Sequence, residues 1–318
     1  MDELPLVLLL QISDYSLDTW KSFVFAHPRV GRWSLRPEYQ KHIQRKYTQC
    51  IEYQPKPYGV IREYKLCNRR HNVDGPAVEY AYGTKEWYKH GLRHRDGDSP
   101  AIEHSIGTKE WRKNGKLHRD DGLPAIERVD GTKEWYQNGL LHRDGDSPAI
   151  EYSNGTKEWW KNGKHHRDND LPAIEYSHGT KEWYQNGLLH REGDLPAKEY
   201  ADGGREWWKN DERHRDGDFP AIDVNEGRGW YKNGKPHRCG DLPAIIQASG
   251  SKEWWKDGKC HRDGDLPAVE RSDGTKEWYQ NDRRRRDGDL PAVEHADGSK
   301  QWWVNGKCHR DSDLPAVQ

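Results

Sequence analysis

The sequence predicts a mainly β protein, an elongated array of antiparallel β-hairpin repeats preceded by a small α-helical segment. Three observations support this: a 24-residue segment recurs about ten times, turn dipeptides divide each copy, and aromatic residues recur in every copy. The 318 residues include 16 Trp and 16 Tyr, yet only 32% are apolar. Such a chain is too polar for one large core and too aromatic for disorder, so the aromatic side chains are expected to pack between repeats.

The repeats occupy residues 83–318, and a clear copy reads GTKEWYQNGLLHRDGDSPAIEYSN. Successive copies start 24 residues apart, except for one interval of 23 in which a residue is missing before Trp230. The starts are Gly83, Gly107, Gly131, Gly155, Gly179, Gly203, Gly227, Gly250, Gly274 and Gly298. Residues 51–82 are interpreted as a linker and an eroded first copy ending in DGPAVEY, in which Glu63 takes the place of the repeat Trp.

Each copy is expected to supply about two antiparallel strands, from runs such as PAIEYS and TKEWYK, giving about twenty strands in all. A two-residue turn at Asp-Gly or Asn-Gly would join these runs, and a second turn is expected at Asn138-Gly139 and its equivalents. The Pro of each Pro-Ala pair would lie at a strand start, where it costs no ladder bond. Strand alternation places Trp87 and Glu86 on opposite faces.

Two aromatic ladders follow from the repeat. The first has one Trp per copy and is expected to pack between repeats, with the Arg and Asp of the His-Arg-Asp motif pairing between neighbouring copies. The second alternates Tyr and Trp from the third copy onward. Its Trp members are the candidate recognition ladder: Trp160, Trp208, Trp255 and Trp303.

The pattern from Gly155 to His166, in which an aromatic residue precedes Asn-Gly-Lys and a His follows two residues later, resembles MORN repeats, including the variant in YwqK-type antitoxin proteins. MORN units have Gly after that His, whereas nine of ten copies here read His-Arg and all add Pro-Ala. The combination is most similar to the expanded MORN-like proteins of giant DNA viruses of the marseillevirus type. In those proteins the repeats often follow an F-box.

Residues 1–50 are expected to form a helical F-box-like or capping segment. The spacing of Leu4-Pro5, Leu8, Leu9 and Ile12 is similar to the opening helix of an F-box, and Trp20 would lie on a second helix. The resemblance implies that a Skp-type adaptor of a cullin ubiquitin ligase binds Leu4, Pro5, Leu8, Leu9, Ile12 and Trp20. The alternative is a plain helical cap that covers the open sheet edge of the first hairpin.

Repetition argues against an enzyme, because an active site needs one asymmetric cluster and His-Arg-Asp occurs seven times. No catalytic residue, cofactor or metal site is predicted; turn chemistry accounts for the Asp-Gly-Asp motif, and the five Cys include no C-x-x-C. The net charge of −1 gives no field that attracts nucleic acid. The only long apolar stretch near the start, Leu4 to Leu10, is too short to span a membrane, so membrane binding is not expected.

The predicted function is a non-enzymatic protein–protein interaction scaffold, which the F-box-like segment extends to a substrate adaptor for a cullin ubiquitin ligase. A protein partner would bind along the repeat surface. Two alternatives stay open: a structural component of a virion or large assembly, and an aromatic repeat protein that binds glycan or choline. The expected location is intracellular, in the cytoplasm, which for a viral protein means the host cytoplasm or the virion.

Overall fold

The structure, a computed structural model, describes residues 41, 45, 48–53, 59–66, 68–304, 306–309 and 315–318. The chain divides into two compact units, Met1–Asp144 with Ala149–Ser153 and Gly145–Pro148 with Asn154–Gln318. Lys41 and Arg45 are helical, and strands and turns make up nearly all the rest. The predicted β-hairpin repeat array is confirmed. No helix in these ranges has the length and apolarity that a membrane span requires.

The first unit contains strands β1 to β16. They are β1 (Gln49–Glu52), β2 (Val60–Leu66), β3 (Arg69–Arg70), β4 (Val78–Tyr80), β5 (Lys85–Glu86), β6 (Tyr88–Lys89), β7 (Leu92–Arg93), β8 (Ile102–Glu103), β9 (Lys109–Glu110), β10 (Arg112–Lys113), β11 (Lys116–Leu117), β12 (Ile126–Glu127), β13 (Lys133–Glu134), β14 (Tyr136–Gln137), β15 (Leu140–Leu141) and β16 (Ile150–Glu151).

The second unit contains strands β17 to β43. They are β17 (Lys157–Glu158), β18 (Trp160–Lys161), β19 (Lys164–His165), β20 (Ile174–Glu175), β21 (Lys181–Glu182), β22 (Tyr184–Gln185), β23 (Leu188–Leu189), β24 (Lys198–Glu199), β25 (Arg205–Glu206), β26 (Trp208–Lys209), β27 (Glu212–Arg213), β28 (Ile222–Val224), β29 (Gly227–Gly229), β30 (Tyr231–Lys232), β31 (Lys235–Pro236), β32 (Ile245–Gln247), β33 (Lys252–Glu253), β34 (Trp255–Lys256), β35 (Lys259–Cys260), β36 (Val269–Glu270), β37 (Lys276–Glu277), β38 (Tyr279–Gln280), β39 (Arg283–Arg284), β40 (Val293–Glu294), β41 (Lys300–Gln301), β42 (Trp303–Val304) and β43 (Lys307–Cys308).

Each repeat contributes two strands to an antiparallel sheet and two to a separate side hairpin. In the first unit, sheet neighbours run β4, β5, β8, β9, β12, β13 and β16, and side hairpins pair β6 with β7, β10 with β11 and β14 with β15. The second unit repeats this pattern, as in β20–β21–β24 with the side hairpin β22–β23. The expectation of two strands per repeat is therefore wrong; there are four short ones.

The extra division of each repeat lies at the first-ladder Trp. The Trp87 N–H donates to the Ala101 carbonyl in the sheet at 2.8 Å, and the Trp87 carbonyl accepts from His94 N in the side hairpin at 3.0 Å. The chain thus leaves the sheet at Trp87 without losing a backbone hydrogen bond. Because strand alternation stops there, Glu86 and Trp87 are both buried, at 6% and 9% exposure, and their expected placement on opposite faces is wrong.

The two turns of a repeat differ in type. Asn138 and Gly139 have φ angles of 51° and 89°, as a type I′ turn requires, so the predicted two-residue turn of the side hairpin is confirmed. In the sheet, Arg128 N donates to Thr132 O, and only Gly131 has a positive φ, 91°. This is a three-residue loop with a glycine bulge, so the two-residue turn expected there is wrong.

Each unit is held by small contacts that recur once per repeat. The Ala of every Pro-Ala pair is fully buried, and its carbonyl accepts the N–H of the first-ladder Trp. Pro100 lies two residues before β8, in agreement with its predicted place at a strand start. The first-ladder Trp side chains are 5–9% exposed. Packing of this ladder inside the array, as predicted, is confirmed.

The eroded first copy is a full repeat with one residue fewer in its last loop. Tyr64 N donates to Ala77 O at 2.8 Å, as Trp87 does to Ala101, and Glu63 pairs with Val78 as Glu86 does with Ile102. Tyr64 therefore takes the place of Trp, and the assignment of that place to Glu63 is wrong. The shorter loop shifts the offset from 24 residues to 23.

The missing residue before Trp230 falls in the turn between β28 and β29. Val224 pairs directly with Gly227, so only Asn225 and Glu226 remain in the turn. Both strands extend to three residues there. The loss is thus contained within one hairpin, which explains why the register resumes afterwards.

Candidate interaction surface

Arginine joins each repeat to the preceding one. The Arg167 guanidinium lies 3.7 Å from the centroid of the Trp159 ring, and its Nη1 donates to Pro172 O and to Glu175. Its Nε and Nη2 donate to the two Asp146 oxygens, at 2.6 and 3.0 Å. The predicted Arg–Asp pairing between repeats is confirmed. The same pair recurs as Arg119–Asp98, Arg191–Asp170, Arg215–Asp194, Arg238–Asp218, Arg262–Asp241 and Arg286–Asp265.

Histidine joins neighbouring repeats through both ring nitrogens. His166 Nδ1 accepts the backbone N–H of Asn186 in the next repeat at 3.2 Å, and Nε2 lies 2.9 Å from Asp168. Because Nδ1 accepts, the hydrogen-bond network assigns the ring proton to Nε2, which donates to the carboxylate. Threonine adds a third link, since Thr156 Oγ1 accepts Ser177 N at 3.1 Å. These side chains stabilise the stack, as repeated packing chemistry does.

The glutamate that precedes the first-ladder Trp is buried in most repeats and holds the second ladder. Glu158 accepts Trp160 Nε1 at 2.8 Å, and the equivalent donors are Trp208 to Glu206, Trp255 to Glu253 and Trp303 to Gln301. In the eroded repeat, burial opposes ionisation of Glu63. Hydrogen bonds from Arg70, Lys65 and Tyr53 outweigh that effect and lower the pKa of Glu63 to about 2.

The candidate recognition ladder is therefore half-buried, with its indole N–H groups bonded inside the chain. Ring faces are also contacted: His165 lies 3.6 Å from the Trp160 centroid, and Arg213 lies 4.9 Å from that of Trp208. Recognition through these Trp side chains stays a prediction. The adaptor-binding residues Leu4, Pro5, Leu8, Leu9, Ile12 and Trp20 lie outside the residues that the structure describes.

One sheet face carries a row of alternating charges. Within the first unit, Lys133 lies opposite Glu127 on one side and Glu151 on the other, and Lys109 lies between Glu103 and Glu127. Opposite charges that face each other across strands stabilise the register. The row has no excess of one sign, so it favours no strongly charged partner.

The second unit also exposes one apolar side chain per repeat, at the position before Pro-Ala. This apolar row consists of Leu171, Leu195, Phe219, Leu242, Leu266 and Leu290, which are 37–57% exposed. Two copies have Ser at this position, Ser99 and Ser147. The row was not predicted from the sequence. The recurring apolar residue before Pro was the signal that would have identified it.

No group of three or more His, Cys, Asp or Glu side chains within the described ranges is placed to hold a metal ion. Comparison with known proteins gives no assignment, since no protein-family model and no curated protein matches the chain. What stands is the coarser statement, that the chain is a β-hairpin repeat protein of MORN-like organisation.

Proposed function

We propose that the chain is a non-enzymatic scaffold that binds a protein partner along the apolar row of the second unit. We further propose that the F-box-like segment recruits a Skp-type adaptor, which would bring that partner to a cullin ubiquitin ligase. The observation that supports the scaffold is the row itself, six exposed apolar side chains at one position in successive repeats.

The surroundings of the row support a binding surface rather than a reactive one. Just before Leu195 and Leu242, Asp194 and Asp241 are paired with Arg215 and Arg262. The charges beside the row are thus held in place, while the apolar tips stay in contact with water. Two sheet strands per repeat separate neighbouring tips by roughly 10 Å. Apolar groups exposed in a continuous row are typical of protein interaction sites.

The scaffold is tested by replacing Leu195, Leu242 and Leu266 with Ser, the residue that two other copies carry at this position. A photo-crosslinking amino acid at Phe219 would report the partner in cells. We expect the crosslinked product to fall at least fivefold in the triple variant, while the circular dichroism spectrum stays unchanged. Leu123→Ser, an exposed leucine of the first unit, is the matched control. Equal crosslinking in the triple variant would contradict the proposal.

The same experiment separates a foreign partner from self-association. Crosslinks that join two copies of the chain would favour the alternative of a structural component in a large assembly. This alternative has a specific basis, because a second copy carries an apolar row of identical spacing.

The adaptor is tested on the full chain with Leu8→Asp and Ile12→Asp. A charge in the opening helix of an F-box would prevent apolar contact with a Skp-type adaptor. We expect co-purification with the adaptor to be lost in both variants and retained in the Leu195, Leu242, Leu266 triple variant. Retention in Leu8→Asp and Ile12→Asp would leave the helical cap as the better interpretation.

A further inference from the structure

Each regular repeat boundary uses two carboxylates in its Asp-x-Asp loop. In the copy that follows Gly83, Asp96 accepts from His94 Nε2 at 2.9 Å, within one repeat. Asp98 accepts from Arg119 Nε and Nη2 of the next repeat, at 2.6 and 2.8 Å. A loop with two carboxylates two residues apart therefore satisfies one histidine and the following arginine.

At the boundary before this one, the histidine lacks its carboxylate. His71 N donates to Tyr64 O, and His71 Nδ1 accepts His90 N at 3.2 Å, so His71 has the role of His94. The residue two places later is Val73 instead of Asp. His71 is 1% exposed, and its Nε2 is buried with no hydrogen-bond partner in the described part of the chain.

The arginine of this boundary also lacks its carboxylate. Arg95 lies over the Trp87 ring at 3.9 Å, and its Nη1 donates to Pro100 O and Glu103 as in other repeats. Asp74, which corresponds to Asp98, is instead bound by Arg45 Nε at 2.7 Å. The Nε and Nη2 of Arg95 have no partner among the residues described, and the side chain is 29% exposed, against 12% for Arg119.

Both groups line one cleft of about 580 Å³ within the first unit, which also includes Lys41 and Lys89. Lys89 and His94 are bonded to Asp96, and Asp74 is bonded to Arg45. The hydrogen-bond donors that remain in the cleft without an acceptor are thus those of His71 and Arg95.

We propose that this cleft binds an acidic peptide segment of another protein, with two carboxylates two residues apart. The first carboxylate accepts from His71 Nε2, and the second accepts from the Nε and Nη2 fork of Arg95, as Asp96 and Asp98 do at the next boundary. A carboxylate matches the planar fork of arginine, and a neutral histidine donates one hydrogen bond. The inference rests on the proposed role of the chain as a protein-binding scaffold, but it concerns a different surface.

The test uses the full chain and a fluorescein-labelled peptide that contains Gly-Asp-Gly-Asp-Gly, measured by fluorescence anisotropy at low salt. We expect saturable binding, and at least tenfold weaker binding of the Gly-Asn-Gly-Asn-Gly peptide. Arg95→Gln is expected to weaken binding at least tenfold. Arg119→Gln is the matched control, because that arginine already has Asp98, and its affinity is expected to stay within twofold.

Two further variants keep the proposal falsifiable if Arg95→Gln folds poorly. Val73→Asp restores a carboxylate two residues after His71, and Arg45→Gln releases Asp74 toward Arg95. Each is expected to weaken peptide binding at least fivefold. Equal affinity of the Asp and Asn peptides, no binding by the full chain, or complete competition by millimolar inorganic phosphate would overturn the proposal. Crosslinking at Phe219 that persists in that case would leave the scaffold itself standing.

Discussion

Arg167 shows how much one side chain does in this repeat. It stacks on Trp159, donates to a carbonyl and a glutamate of its own repeat, and forms a two-point ion pair with Asp146. Burial opposes the charged form of Arg167, but its hydrogen bonds to Asp146 and Glu175 outweigh that effect and raise its pKa. Lysine has the charge but lacks the planar fork, so it cannot make these contacts together.

Arg167→Lys is therefore expected to lower the free energy of unfolding by about 2 kcal/mol, the order of a lost charged hydrogen bond. Urea unfolding followed by Trp fluorescence measures this. The control is Arg228→Lys in the same unit, because Arg228 is 63% exposed and its one ion pair is at the surface. A change below about 0.5 kcal/mol is expected there. Equal effects of the two variants would contradict the assigned role of Arg167.

His71 makes the first unit sensitive to acid. Burial, reinforced by His90 and Lys89, lowers the pKa of His71 from 6.5 to about 4. The unfolded chain therefore takes up the proton first as the pH falls. Stability from this group is complete above about pH 6.5 and is lost progressively towards pH 4.

At pH 5 this linkage corresponds to about 2 kcal/mol. Hydrogen exchange of the His90 amide, which donates to His71, reports the local opening free energy. We expect that free energy to fall by about 2 kcal/mol between pH 7.5 and pH 5 in the natural chain. His71→Gln, which cannot titrate, is expected to show at least 1 kcal/mol less of this fall. The same fall in both chains would exclude His71 as the titrating group.

At the scale of elements, turn chemistry was predictable where the dipeptide fixes the geometry, as at Asn138-Gly139. The break at Trp87 was not, because the sequence TKEWYK reads as one continuous strand. Local sequence also fails in the Asp-Gly-Asp-Leu-Pro loops at 263–267 and 287–291. Only Gly264 has a positive φ in the first, whereas Gly288 and Asp289 both do in the second. The second loop turns its Asp289 carbonyl to Trp302 Nε1 at 3.1 Å, so packing decides between them.

The shortened hairpin of β28 and β29 depends on Gly227. Its φ is 146°, and an added Cβ would lie 2.2 Å from the Ile246 carbonyl oxygen. Gly264 has a φ of 77° with no atom near an added Cβ, so Gly264→Ala is expected to cost about 1 kcal/mol from backbone strain alone. Gly227→Ala adds a backbone clash and is expected to cost at least about 2 kcal/mol more. Urea unfolding compares them, and equal costs would contradict the tight packing around Gly227.

At the scale of the whole molecule, the 24-residue period and the burial of one Trp per copy were predictable, because every copy has the same neighbours. The apolar row and the shifted Tyr64 were not. The first depends on which loop residues stay exposed, and the second on a loop one residue shorter, which moves the register without changing the motif. The adaptor-binding residues lie outside the described part of the chain.

Since neighbouring repeats meet through the same bonds, stability is expected to be close to a sum of nearest-neighbour contributions. Deletion of residues 250–273 would bring Asp241 to Arg286 with the usual separation of 21 residues. We expect this variant to keep its β circular dichroism spectrum and to unfold at a slightly lower urea concentration. Deletion of the 12 residues 250–261 removes half a repeat, and we expect a loss of Trp fluorescence shift and of cooperativity. A folded 12-residue deletion would contradict the nearest-neighbour account.

The links between repeats have a direction. In the arginine, histidine and threonine bonds alike, the later repeat gives the hydrogen and the earlier one receives it, as with Arg167 to Asp146, Asn186 to His166 and Ser177 to Thr156. The array is thus chemically vectorial, like a row of identical plugs and sockets. Inverting a single repeat would set plug against plug, so new copies extend such an array only when inserted head to tail.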